Sequence, residues 1–216
     1  MQQLHYYPGN ASMAPHVVLE EIGAPFELVL VDREQGAHKS PAYLRLNPNG
    51  SIPVFVDGEL VLYESAAICL HLSDSAPRLQ LAPALGTAQR AHCYKWLMWL
   101  TNTMQPGLMA YFYPERWMND GHAAAAAELK ENAQARVGLL LDQLDAELAR
   151  HGGPWLLGDT YCVADPYCLM LCRWTRGFSR APARERGHLG PYLRRMLDRP
   201  AVQRVFATEK LALPWV

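Results

Sequence analysis

Two short segments of the chain combine backbone and side-chain groups that could bind a peptide. Residues 47–53 read Asn-Pro-Asn-Gly-Ser-Ile-Pro, and residues 63–68 read Tyr-Glu-Ser-Ala-Ala-Ile. Because only an X–Pro bond becomes cis at a cost as low as about 0.5–1 kcal/mol, the chain can reverse at Ile52-Pro53. Such a turn exposes the N–H and C=O of Ile52, with which an extended peptide can pair as an added strand.

Glu64 and Ser65 are expected to open a helix directly after a β-hairpin. The free N–H groups and the positive dipole end of a helix N-terminus attract a carboxylate, whereas the Glu64 carboxylate would hold an amine. One end of the predicted pocket therefore fits an α-amino acid zwitterion. The simpler alternative is that Glu64 and Ser65 only cap the helix and that Pro53 only shapes a loop.

The elements that must position these residues fall into two groups. In the first group, strands and helices alternate in the order strand, helix, strand, strand, strand, helix; they are predicted at residues 3–7, 15–22, 26–31, 54–56, 60–63 and 64–72. Beyond a stretch that contains Pro and Gly, the hydrophobic patterns predict only helices. We therefore expect an α/β domain over residues 1–77, a linker over 78–86 and an all-helical domain over 87–216.

The order and spacing of these segments resemble the glutathione transferase superfamily. The resemblance includes the loop at residues 8–12, the segments 47–53 and 63–68 and, far downstream, residues 163–165, Val-Ala-Asp. In that family the aspartate of the last segment caps a core helix, and here it directly precedes Pro166, a residue preferred at the first helical position. The resemblance implies a thioredoxin-like N-terminal domain that binds glutathione, followed by an all-helical C-terminal domain.

The resemblance also implies that the protein ionises the glutathione thiol. With a free pKa of about 8.5, only a few per cent of this thiol is thiolate at pH 7. Ser12 precedes the helix predicted from Pro15, and its hydroxyl could donate to a sulfur held against the helix dipole; Ser12 is therefore the predicted catalytic residue. Tyr6, which resembles the tyrosine of the tyrosine-type classes, and Asn10, through its amide, are alternatives, and Ser12 could instead only cap the helix.

The chain departs at two positions from the beta-class bacterial enzymes that it most resembles. Those enzymes carry a cysteine where Ala11 stands, and because alanine cannot form a mixed disulfide, thiol exchange through this position is not expected. Gln105 stands where the beta-class pattern places a histidine, so a polar contact is kept but acid–base function is not.

The remaining site residues follow from the resemblance position by position. His38 and Lys39 resemble the basic residues that meet the glycine carboxylate, with Lys39 favoured as a flexible charge, although both could simply lie in a solvated loop. The predicted glutathione-binding residues are Tyr6, Asn10, Lys39, Ile52, Pro53, Glu64 and Ser65. The electrophile site should be apolar and lie between the domains. Its predicted residues are Met104, Gln105, Leu108, Tyr111 and Trp117, with Phe112 and Tyr113 on the same surface.

Composition excludes several other classes of protein. The formal net charge is −1 and no run of Lys and Arg stands out, which argues against nucleic-acid binding. No segment approaches the ~18 consecutive apolar residues of a membrane span, and the N-terminus does not look like a signal peptide. We expect a soluble, cytoplasmic protein. The five cysteines are an odd number, so we expect free thiols. We also expect no metal site and no cofactor, with glutathione as the co-substrate.

The sequence thus predicts a dimeric glutathione transferase that activates the glutathione thiol for attack on a small hydrophobic electrophile, as in detoxification. Dimerisation is implied by the resemblance alone. Two alternatives stay open at this point. One is a binding or adaptor protein that keeps the fold but lacks catalysis, which the alanine at position 11 would allow. The other is a specialised glutathione-dependent isomerase, dehalogenase or ether-cleaving lyase.

Overall fold

Short apolar segments in the N-terminal part of the chain form a mixed sheet covered by helices. The computed structural model describes residues 1–119 and 122–216. In this N-terminal part the elements are β1 (Gln2–Tyr6), α1 (Met13–Ile22), β2 (Phe26–Leu30), α2 (Pro41–Leu46), β3 (Val54–Asp57), β4 (Leu60–Tyr63) and α3 (Ser65–Ser75). The strand order is β2-β1-β3-β4, with β1 parallel to β2 and the other pairs antiparallel. Leu4 and Phe55 pair across β1 and β3 and are fully buried.

Most predicted boundaries in this part differ from the observed ones by one to three residues. The larger difference is α2, which is not among the predicted elements. Ser40 is its N-cap, and the Ser40 hydroxyl accepts the N–H of Tyr43 at 3.2 Å. Pro41 occupies the first helical position, where its missing N–H costs nothing.

The C-terminal part of the chain is helical throughout its regular elements. These are α4 (Ala88–Trp99), α5 (Gln105–Phe112), α6 (Ala123–His151), α7 (Ala164–Trp174), α8 (Leu189–Leu197) and α9 (Pro200–Thr208). Residues 88–104 do not form one continuous α-helix, because α4 is followed by a π-helical turn at Leu100–Met104. The proposed linker lies between α3 and α4, and the exact domain boundaries stay a prediction.

Asp165 lies in the first turn of α7 rather than directly before it. Helix α7 begins at Ala164, so Pro166 is not at its first position as predicted. The buried Asp165 carboxylate accepts the N–H groups of Leu156 at 2.9 Å and Cys162 at 2.8 Å. It therefore holds the chain that leads into α7 instead of capping the helix itself.

Helix α1 is the main link between the two parts of the molecule, because it packs against α3 on one side and against α7 and α9 on the other. One apolar core consequently runs from Leu4 and Val17 to Leu169 and Val205, all of them fully buried. This packing brings the N-terminal end of α1 to the junction with the helical domain. Within the described residues, no helix is long and apolar enough to cross a membrane.

Candidate active site

A cleft of about 660 Å³ opens at the junction of the two domains. Its N-terminal wall consists of residues 9–11 and 49–52 together with Arg33, His38 and Lys39. The opposite wall comes from one face of α5, from the turn after it, and from the C-terminal end of α7 with the turn that follows. Its members are Gln105, Met109, Phe112, Tyr113, Arg116, Trp174 and Arg176.

The loop between β1 and α1 presents Asn10 and Ala11 to the cleft. Gly9 has a positive φ of 67°, and the N–H of Asn10 donates to the Tyr7 carbonyl at 3.1 Å, so the chain turns tightly here. Asn10 Oδ1 accepts the N–H of Ala11 at 2.5 Å, which orients the amide group. The Asn10 Nδ2 group has no hydrogen-bond partner in residues 1–119 and 122–216. Its two N–H donors therefore remain available at the N-terminal end of α1.

Ser12 does not line the cleft, although it follows Ala11 directly. Its side chain is fully buried, and Oγ donates to the Tyr7 carbonyl at 3.1 Å while accepting the Tyr7 N–H at 3.3 Å. No side-chain cap bond joins Ser12 to α1, which begins at Met13. The hydroxyl thus stabilises the loop, and this geometry does not favour its predicted contact with a ligand in the cleft.

The helical domain holds this loop from the other side. The N–H of Gly9 donates to Glu209 Oε2 at 2.8 Å, and Trp174 Nε1 donates to the Gly9 carbonyl at 3.0 Å. Glu209 Oε1 lies 2.7 Å from Nδ1 of His16, and both of these side chains are fully buried. The position of Asn10 is therefore fixed by both domains.

Tyr6 belongs to this buried region and not to the cleft wall. Its ring packs edge-on against His16, with 6.2 Å between the ring centres. Burial, followed by the nearby Glu209 carboxylate, raises the pKa of the Tyr6 hydroxyl.

The turn before β3 offers backbone groups to the cleft. The Ile52–Pro53 peptide bond is cis, and Ile52 lines the cleft. Asn47 Nδ2 and the Tyr43 hydroxyl both donate to the carbonyl of Ser51, at 2.8 and 2.9 Å, and so fix the turn. In the described parts of the chain, no hydrogen bond uses the N–H or the C=O of Ile52. Both groups are available to an extended ligand, as an added strand would require.

The Glu64-Ser65 turn lies next to the same loop. Ser65 Oγ donates to the carbonyl of Ala11 at 2.9 Å, so the beginning of α3 adjoins the residue that lines the cleft. Glu64 is exposed and has a positive φ of 74°, a conformation that costs energy in a residue other than glycine and is often found at ligand sites. Neither residue is part of the cleft wall itself.

Positive charge collects at one end of the cleft. Lys39 Nζ donates to the carbonyl of Asn49 at 3.2 Å, and His38 Nδ1 is buried without a partner among the described residues. Burial and the positive charges of Lys39, Arg33 and Arg116 lower the pKa of His38. This end of the cleft suits a carboxylate.

Comparisons with known proteins agree with this geometry. The family described as "Glutathione S-transferase, N-terminal domain" matches residues 2–74, and "Glutathione S-transferase, C-terminal domain" matches residues 100–200. Glutathione S-transferase 3 of Zea mays is 34% identical over 91% of this chain and 89% of its own length. The chain belongs to the glutathione S-transferase family. Glutathione S-transferase GST-4.5 of Xanthomonas campestris pv. campestris is 33% identical over 80% of this chain and 81% of its own.

Solved structures of glutathione transferases have the same fold. A glutathione transferase homologue from Sulfitobacter, crystallised with bound glutathione, superposes with a TM-score of 0.88 at 25% identity, covering 98% of this chain and 99% of its own. The beta-class enzyme of Sphingomonas chungbukensis gives a TM-score of 0.83 at 30% identity, covering 97% and 100%. The predicted fold and the prediction of a glutathione transferase are confirmed.

The predicted glutathione-binding residues of this transferase divide into two sets. Asn10, Lys39 and Ile52 line the cleft, whereas Tyr6, Pro53, Glu64 and Ser65 do not. Ser65 is nevertheless tied to the cleft wall through Ala11. The individual roles of these residues stay predictions.

The predicted second-substrate residues mostly lie outside the cleft. Met104 and Leu108 are fully buried in the core, and Trp117 is 65% exposed away from the wall. Tyr111 packs against Phe178 at 4.6 Å between ring centres. Gln105 does line the cleft, and its Oε1 accepts the Tyr167 hydroxyl at 2.6 Å.

The transferase instead turns a neighbouring face of α5 toward the cleft. Met109 and Phe112 lie on this face, and Tyr113 and Arg116 follow in the turn after α5. Phe112 and Tyr113 were also predicted to belong to this surface. A π-helical turn holds more residues than an α-helical one, so the turn at Leu100–Met104 rotates every later residue relative to α4. The spacing of the polar Gln105 from Phe112 and Tyr113 could indicate this face from the sequence. The direction in which the face points, however, depends on the π turn.

Gly50 lies against His38 and Lys39 at the positive end of the cleft. Its substitution tests whether the position of Lys39 matters for glutathione binding. Its φ is +58°, and an added Cβ would lie 2.7 Å from Lys39 Nζ and 2.9 Å from the His38 carbonyl oxygen. We expect Gly50→Ala to raise the KM for glutathione by about ten-fold, the equivalent of one displaced charge-assisted contact. Steady-state kinetics with varied glutathione measures this.

Gly58→Ala is the matched control, because Gly58 has a φ of +60° but nothing within 4 Å of an added Cβ. Both substitutions place an alanine at a similar positive φ and should therefore destabilise the backbone by a similar amount. An equal KM for glutathione in the two variants would show that Gly50 does not position the cation for this ligand.

Proposed function

We propose that this glutathione transferase ionises the thiol of glutathione with the side-chain amide of Asn10, assisted by the N-terminal end of α1. One observation carries this assignment: Asn10 lines the cleft with free N–H donors, whereas the hydroxyl of Ser12 is buried and already paired with Tyr7. A hydrogen bond to a charged acceptor stabilises the thiolate relative to the thiol, and the helix dipole acts in the same direction.

The rest of glutathione is held along the N-terminal wall. The N–H and C=O of Ile52 pair with the cysteinyl backbone, and Lys39 binds the glycine carboxylate. The first N–H groups of α3 bind the γ-glutamyl carboxylate while Glu64 holds its amine. This arrangement places the sulfur beside Asn10, facing the wall formed by α5.

The thiolate then attacks an electrophile that lies against Phe112 and Tyr113. A carbon–sulfur bond forms, and the leaving group departs with the electron pair of the bond that breaks. The rate gain comes from the larger thiolate fraction and from holding the two reactants together. No metal or redox cofactor takes part in the proposed reaction, and we further propose that the protein works as a homodimer in the cytoplasm.

The experiment that tests this function measures glutathione binding by calorimetry and conjugation of glutathione to 1-chloro-2,4-dinitrobenzene by absorbance. We expect saturable binding and enzymatic conjugation, with chloride released. Binding without conjugation of this or other activated electrophiles would identify a glutathione carrier instead. No saturation at millimolar glutathione would contradict the proposal altogether.

A further inference from the structure

The cleft contains more positive charge than the proposed binding of glutathione uses. Lys39 is assigned to the glycine carboxylate, and the γ-glutamyl end lies near Glu64 and Ser65. Three arginines then remain in the same cleft, Arg33 on the N-terminal wall and Arg116 and Arg176 on the opposite wall. Arg176 Nη1 donates to the carbonyl of Arg173 at 3.2 Å, so Arg33 and Arg116 are the two considered for a ligand. Among the described residues, no Asp or Glu belongs to either wall.

Tyr113 holds both guanidinium groups in place. Arg33 Nη2 donates to the Tyr113 hydroxyl at 3.0 Å, and the Arg116 guanidinium carbon lies 3.9 Å from the centre of the Tyr113 ring. Neither arginine forms a salt bridge with a carboxylate among residues 1–119 and 122–216. Two guanidinium groups from different domains are thus arranged around one aromatic ring that faces the cleft.

An anion bound at this place would be attracted by both guanidinium groups. Like charges repel, and the lowered pKa of His38, caused by burial and by Lys39, Arg33 and Arg116, reflects the same positive field. A guanidinium presents a planar set of N–H donors that matches the geometry of a carboxylate. A carboxylate bound between Arg33 and Arg116 could accept hydrogen bonds from both and would offset one of their two positive charges.

The neighbouring surface is suited to a flat apolar group. Phe112 is 43% exposed and lies beside Tyr113, with 6.4 Å between the ring centres, and Met109 completes this part of the wall. We propose that the second substrate is an electrophile with a flat, apolar body that carries a carboxylate, and that Arg33 and Arg116 bind this carboxylate. The inference rests on the proposed function and narrows the predicted hydrophobic electrophile to an anionic one.

Two aryl chlorides, one with a carboxylate and one with a neutral amide in its place, show what the negative charge contributes to binding. In 4-chloro-3-nitrobenzoate the glutathione thiolate attacks the carbon that bears chlorine, the carbon–sulfur bond forms, and chloride leaves with the bonding pair. The corresponding 4-chloro-3-nitrobenzamide reacts in the same way but is neutral. Both glutathione conjugates can be made without enzyme, so their binding can be measured whether or not turnover is fast.

The test compares the Kd values of the two conjugates by calorimetry. We expect the wild-type protein to bind the carboxylate conjugate about ten-fold more tightly than the amide conjugate, as for one charge-assisted pair. Arg33→Met and Arg116→Met should each remove most of this preference, and any change in the Kd for glutathione should be much smaller than this loss. Arg136→Met, which removes an exposed arginine of α6 outside the cleft, should keep the preference.

The results of this test distinguish an error in the carboxylate site from an error in the proposed glutathione transferase function. Equal Kd values for the two conjugates in a protein that binds glutathione would overturn the carboxylate site alone. A loss of glutathione binding in Arg33→Met and Arg116→Met would also overturn it, because the arginines would then serve the glycine carboxylate. Absence of glutathione binding in the wild type would overturn both.

Discussion

Replacing Asn10 with alanine will lower the turnover number for conjugation by about 10- to 100-fold, because a hydrogen bond to a charged group contributes about 1.5–3 kcal/mol. The bond acts on the thiolate, which carries the reaction, more than on the neutral thiol. The thiolate fraction at neutral pH should therefore fall in this variant. The KM for glutathione should change little, since the contacts of Ile52 and Lys39 remain. Initial rates at saturating glutathione and varied pH measure the effect.

Two further variants separate the amide of Asn10 from the hydroxyl of Ser12. Asn10→Asp keeps an acceptor for the Ala11 N–H, which now bonds to Asn10 Oδ1 at 2.5 Å, but replaces the donors with a negative charge. We expect a larger loss than in Asn10→Ala. Ser12→Ala should leave the pKa of the bound thiol in place and lower the free energy of unfolding by about 1–3 kcal/mol, because the Tyr7 N–H loses its side-chain acceptor. The reverse pattern would return the catalytic role to Ser12.

Replacing Asp165 with alanine will lower the free energy of unfolding by roughly 3–5 kcal/mol. The fully buried carboxylate accepts the N–H groups of Leu156 and Cys162 and the hydroxyl of Tyr192, the last at 3.0 Å. Alanine would leave the two N–H groups without their acceptor, and the Tyr192 hydroxyl would keep only the backbone carbonyl of residue 165, at 3.3 Å. Urea unfolding followed by circular dichroism measures the change.

Asp159→Ala is the control for this variant, because Asp159 is exposed in the same loop region and should change the free energy of unfolding by no more than about 0.5 kcal/mol. Similar unfolding midpoints for the two variants would show that the Asp165 network does not hold the helical domain together.

The contribution of Asp165 to the free energy of unfolding should depend on pH. Burial raises the pKa of Asp165 to about 6, above its value in the unfolded chain. The folded state then binds a proton that the unfolded state has released, so stability from this group falls as the pH rises through about 4 to 6. An Asp165→Asn variant lacks this titration. The wild type should gain stability relative to it as the pH is lowered from 7 to 5.

Hydrophobic patterns and turn residues predicted strands and helices before a linker and only helices after it, whereas the thioredoxin-like fold of the first part was implied by the family resemblance. Short apolar runs before a linker and longer helical patterns after it give the two domains, because each pattern reports which face of an element is buried. Helix α2 was missed although Ser40-Pro41 is a recognisable start. Its six residues are too few for a periodic pattern to stand out.

The candidate site could be predicted only in part. The sequence places Asn10 and Ser12 in one loop, but which of the two faces the cleft depends on a tight turn at Gly9 and on the bonds from Ser12 to Tyr7. The bonds from Trp174 and Glu209 to Gly9 cross about 165 to 200 residues of chain, and local patterns do not reveal such contacts. The cleft-facing side of α5 likewise follows from a π turn that sequence periodicity does not show.

The pKa of the bound glutathione thiol tests the central assignment most directly. Thiolate absorbance near 240 nm, followed from low to high pH with the wild-type complex and with Asn10→Ala, gives this pKa for each protein. We expect the pKa of the bound thiol in the wild type to lie about two units below the free value of about 8.5, and to return toward the free value in Asn10→Ala. A thiol pKa in the wild-type complex equal to that of free glutathione would contradict it.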